Sequence, residues 1–118
     1  MLVVEGDETA LKALVLLLGR AGHEVMGAAT LEAARETLHR ESYDAVVVDL
    51  ELPGRQWREI IELAGGTEES GHPRLVGISA RAASAHRGEV DQLDALLRKP
   101  LDLRALYGLL GPGALERS

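Results

Sequence analysis

The sequence predicts an α/β domain built on a doubly wound, five-stranded parallel sheet of order 2-1-3-4-5, with helices on both faces. Three observations lead there. Short apolar runs alternate with amphipathic periods along the chain, the third run is apolar without a break, and capping residues stand at the changeovers. With 118 residues, and domains averaging about 150, the chain is expected to form one domain over residues 1–118, without an output domain.

Leu2, Val3 and Val4 read as the first strand. Leu11, Leu14, Val15 and Leu18 follow at helical spacing, with Asp7 at the N-cap position and Gly22 beyond the end. Residues 24–28 read as the second strand, and Leu31, Ala34 and Leu38 as the second helix behind Thr30 as N-cap. The third strand, 45–48, closes on Asp49; its unbroken apolar character suits a strand covered on both faces. Trp57, Ile60, Ile61 and Ala64 mark the third helix, ending near Gly65 and Gly66. Residues 75–79 read as the fourth strand. A helix within 82–93 carries Gly88 in its interior at a cost of about 1 kcal/mol. Residues 95–98 read as the fifth strand. Leu103, Leu106, Tyr107 and Leu110 form the last helix, between Asp102 as N-cap and Gly111.

Composition narrows the function classes. A net charge of −6 opposes binding to nucleic-acid phosphate, and Trp57, Tyr43 and Tyr107 are too few for a base-stacking platform. The longest apolar run, 13–18, is far short of the roughly 20 residues that cross a bilayer. The start has no basic n-region or long apolar h-region, and cysteine is absent, so a cytoplasmic, reducing location is expected. His23, His39, His72 and His86 share no metal-binding spacing and are expected at the surface. Trp57 reads as a packing residue of the core or the pocket lip.

In a doubly wound sheet, ligands bind beyond the carboxyl ends of the strands, where the strand order reverses. That rule nominates Glu5, Asp49, Ser79 and Lys99, at the ends of the first, third, fourth and fifth strands. Neighbouring ends lie about 4.8 Å apart, so these side chains can converge. Paired carboxylates repel unless a cation separates them, and Mg²⁺ prefers such oxygen ligands. With metal, lysine and hydroxyl to neutralise phosphoryl oxygens, Asp49 is the natural nucleophile. Lysine is informative at position 99, because the chain holds eleven arginines and only two lysines.

Residues 48–54, Val-Asp-Leu-Glu-Leu-Pro-Gly, together with Leu2, Val3, Val4 and Glu5 before them and Ile78, Ser79, Ala80, Arg98, Lys99 and Pro100 after them, resemble the receiver domain of bacterial response regulators (CheY-like, with a flavodoxin-like fold). The resemblance implies phosphorylation of Asp49 by a histidine kinase or phosphotransfer protein. It implies Mg²⁺ held by Glu5, Asp49 and the main-chain carbonyl of Glu51. Lys99 would contact the phosphoryl group, and its bond to Pro100 would be cis. Ser79 would turn toward a phosphoryl oxygen, and the signal would pass by altered contacts to a downstream protein or a second copy of the chain. Such a domain performs only its own phosphorylation and dephosphorylation and is not an enzyme on external substrates.

The sequence also departs from that pattern. Gly6 stands where the family has a second acid, so weak Mg²⁺ binding is expected; Asp7 is placed to cap the first helix rather than to replace the missing ligand. Leu96 takes the place of the aromatic residue that moves with the hydroxyl. Glu51 and Arg81, each two residues past a key position, could pair across the pocket as a gate. Two alternatives stay open: a pseudo-receiver that binds partners without phosphorylation, and a phosphatase of similar architecture using Glu51 as its acid.

Overall fold

A computed structural model of the chain describes residues 1–65, 73–81, 86 and 92–110. Five strands form one parallel sheet: β1 Leu2–Val4, β2 Met26–Ala28, β3 Ala45–Asp49, β4 Arg74–Ser79 and β5 Ala95–Arg98. Their order is β2-β1-β3-β4-β5. The described helices are α1 Glu8–Arg20, α2 Leu31–Arg40, α3 Trp57–Ala64 and α4 Leu103–Leu110. The helix expected within 82–93 lies almost wholly outside the described residues.

Alternation along each strand divides the core into two layers. Leu2 and Val4 of β1, with Val46 and Val48 of β3, pack against Ala34 of α2 and Trp57, Ile60, Ile61 and Ala64 of α3. Val3, Val47, Val76 and Ile78 face the other way, against Leu14 and Leu18 of α1 and Leu106 of α4. β3 is buried at all five positions, which is why its sequence is apolar throughout. Trp57 thereby takes its place in the core, 2% exposed.

The helix starts follow the capping residues. Asp7 accepts from the Thr9 N–H, Thr30 from Ala33 and Asp102 from Arg104. Gly22 takes a left-handed φ of 98° just beyond α1. β2 is shorter than the expected 24–28. It lies at the edge of the sheet with Met26 half exposed, so little packing rewards a longer strand there. α2 and α3 are tied by Arg35, whose Nη2 lies 2.8 Å from Glu59 Oε1.

Gly77 sits within β4, where an added Cβ would come within 2.6 Å of Leu93 Cδ1 and 3.3 Å of Leu50. Valine there would have to displace both leucines. We expect Gly77→Val to destabilise the fold by about 1–3 kcal/mol in urea unfolding; unchanged stability would show that this layer has slack.

Candidate functional site

The strand order places Glu5, at the end of β1, beside Asp49, at the end of β3. Neither side chain has much water: Glu5 is 1% and Asp49 4% exposed. The main chain holds each in place. Glu5 Oε1 accepts from the Asp7 N–H at 3.1 Å, and Asp49 Oδ1 accepts from the Glu51 N–H at 2.9 Å. Lys99 follows β5, its N–H donating to the Ser79 carbonyl at 2.8 Å. Its Nζ reaches back to Glu5 Oε2 at 3.0 Å and Asp49 Oδ1 at 3.5 Å. The Lys99–Pro100 peptide bond is cis, as the resemblance implied.

The electrostatics follow from burial. Desolvation raises the Glu5 pKa and the neighbouring Asp49 adds to it, while the Asp7 N–H and Lys99 only partly oppose the rise. Burial pulls the Lys99 pKa down, but the two carboxylates outweigh it and the net shift is upward. Although Lys99 stands within ion-pair distance, Glu5 Oε2 is buried and receives no aligned hydrogen bond. An oxygen so placed suits a hard cation, and Mg²⁺ is commonly held through one or two carboxylates. Among the described residues no three His, Cys, Asp or Glu side chains gather as a metal site. Glu5 and Asp49 are the two carboxylates that could hold such an ion.

Ser79 is engaged elsewhere than the sequence suggests. Its Oγ lies 2.7 Å from Glu51 Oε1 and 2.8 Å from His86 Nε2, and it accepts from the Arg81 N–H at 3.0 Å. Glu51 Oε1 also accepts from the Ala80 N–H at 2.8 Å. The Ser79 hydroxyl is the first cause that lowers the Glu51 pKa, with the Ala80 N–H helping and burial opposing. A carboxyl kept ionised is a poor general acid, which counts against the phosphatase reading.

Two expectations need correction. Glu51 and Arg81 form no ion pair among the described residues; Glu51 is drawn to Ser79 and Ala80, and exposed Arg81 acts on it only through space. His86 is not a surface residue but is 4% exposed and bonded to Ser79. No spacing in the sequence marks His86, whose partner lies on a strand end brought to it by the fold. Leu96 is half buried against the α2–α3 layer, and Asp7 caps α1.

Gly6 borders a cleft of about 470 Å³, and a Cβ added there would meet only Leu52 Cδ2, at 3.4 Å. The missing acid thus leaves space rather than a refilled wall.

Residues 1–110 match the response regulator receiver domain. The chain belongs to that family. The response regulator FleR of Pseudomonas aeruginosa is 34% identical over 98% of the chain, which spans 24% of FleR's length. Among solved structures, a CheY-like receiver domain from Methylobacillus flagellatus superposes with a TM-score of 0.79 at 23% identity, covering 92% of each chain. The receiver domain of the sensor histidine kinase PA1611 from P. aeruginosa, solved with magnesium in its active-site cleft, gives 0.77 at 22% identity, covering 92% of this chain and 91% of that one. The five-stranded order of this receiver domain, with helices packed on both faces of the sheet, is that of the CheY-like fold. No described helix is long and apolar enough to cross a membrane.

The raised Glu5 pKa makes a testable statement about stability. A carboxyl favoured in its protonated form by folding contributes stability below its ordinary pKa of 4.5, and loses that contribution as pH rises through the higher folded-state value. At neutral pH the Glu5 charge therefore works against the metal-free fold. Glu5→Gln keeps an acceptor for the Asp7 N–H and should raise the Tm at pH 7, the gain shrinking toward pH 4. A lower Tm at pH 7 would contradict it.

Proposed function

We propose that this receiver domain accepts a phosphoryl group on Asp49 from a phosphohistidine of a kinase or phosphotransfer protein and signals through changed protein contacts. The observation that carries the reading is the buried cluster of Glu5, Asp49 and Lys99 at the point where the strand order reverses. The Glu51 N–H and Lys99 both engage Asp49 Oδ1, which fixes the carboxylate plane and leaves Oδ2 to attack phosphorus. The new bond is Oδ2–P; the P–N bond to the donor imidazole breaks, and its electron pair stays with the departing nitrogen. Lys99, released from part of its pairing with Asp49, neutralises a phosphoryl oxygen. Glu5, Asp49 and the Glu51 carbonyl would hold Mg²⁺, which supplies charge neutralisation at the transferring group when bound.

Similarity to FleR and to the magnesium-bound PA1611 receiver supports this reading, and nothing in the comparisons favours the pseudo-receiver. Output passes to a downstream partner or to a second copy of the chain. With one acid fewer, Mg²⁺ binding is weak.

Intact-mass measurement after incubation with Mg²⁺ and acetyl phosphate should show one added phosphoryl group, absent from Asp49→Asn. No adduct at saturating Mg²⁺ would sink the proposal. Calorimetric titration should find that Gly6→Asp binds Mg²⁺ roughly tenfold more tightly, or about 1.4 kcal/mol. Equal affinity would mean that the donor set is already complete.

A further inference from the structure

Ser79 Oγ has three close polar partners: Glu51 Oε1, His86 Nε2 and the Arg81 N–H. A hydroxyl has one proton to give and two lone pairs to receive with. The Arg81 N–H can only donate, and takes one lone pair. Glu51, an ionised carboxylate at neutral pH, can only accept. If Ser79 gave its proton to His86 instead, Oγ would face Glu51 Oε1 lone pair to lone pair at 2.7 Å. That arrangement is repulsive. The proton count therefore has a single solution, in which Ser79 donates to Glu51 and His86 donates to Ser79.

We propose that His86 is a positioning residue for Ser79: by donating from Nε2 it fills the last lone pair of the hydroxyl and commits its one proton to Glu51. The consequence rests on Asp49 as phosphoryl acceptor. A phosphoryl oxygen can only accept, so Ser79 reaches it by surrendering Glu51. Bonds to Glu51 and to a phosphoryl group are mutually exclusive, and His86 strengthens the first, because a hydroxyl that accepts a hydrogen bond becomes a better donor. The array Glu51–Ser79–His86 is thus a latch that holds the unphosphorylated state. Burial of His86 keeps water from replacing its donation.

Two measurements test it. In the unphosphorylated protein at pH 7, a long-range ¹H–¹⁵N imidazole spectrum, with the His86 signal identified by its loss in His86→Gln, should show a protonated Nε2 whose resonance moves in Ser79→Ala. A bare Nε2 overturns the proposal. The second measurement is the rate of phosphorylation by acetyl phosphate with Mg²⁺. His86→Leu should raise it roughly fivefold, the scale of a hydrogen bond between neutral groups. His86→Gln, which can place an amide N–H near the Nε2 position, should return it toward the wild-type value, and in a Ser79→Ala background neither substitution should matter. An His86→Leu effect that persists without the Ser79 hydroxyl, or no effect in a protein that does take phosphate, overturns the latch. If no variant takes phosphate, the function proposed for Asp49 fails, while the imidazole spectrum still decides the role of His86.

Discussion

Two carboxylates share the carboxyl edge of a sheet that is otherwise apolar, and the rest of the structure answers to that constraint. Parallel strands covered on both faces leave their ends as the place where polar groups can gather, and the reversal of order between β1 and β3 opens a crevice there. Glu5 and Asp49 enter it almost without solvent. Two like charges in such a place need compensation, supplied here by Lys99 and by main-chain N–H groups held at fixed positions by the turns after β1 and β3. Asp7 ties the turn after β1 to the start of α1, so the scaffold acts as a frame for charge.

Glu51 joins the charged cluster to the hydrogen-bonded one. Its N–H donates to Asp49 Oδ1, while its carboxylate receives Ser79 and the Ala80 N–H. Glu51 thereby connects Asp49 to the end of β4 through one residue. Leu96, aliphatic and packed against the α2–α3 layer, offers no aromatic ring to such a route. Polar contacts at Glu51, Ser79 and His86 are the contiguous alternative.

Much of this was legible in the sequence because the strongest physical signals are local. The solid apolar run of β3 announced burial on both faces, and Asp7, Thr30 and Asp102 marked helix starts that the hydrogen bonds bear out. Glu5, Asp49 and Lys99 were legible because strand ends converge by topology, whatever the side-chain details. The choice Ser79 makes among partners was not, since it depends on rotamers and on a residue seven positions away in the chain. His86 carried no periodic or motif signal, and burial of a lone histidine follows only from the folded surroundings. β2 was overestimated because propensity does not register that an edge strand packs on less.

The open space at Gly6 also bears on the protein at rest. Without a third acid, the buried cluster of Glu5, Asp49 and Lys99 carries a single net negative charge. Self-repulsion in the metal-free state is thus smaller than a third acid would make it, though the Glu5 charge still works against the fold.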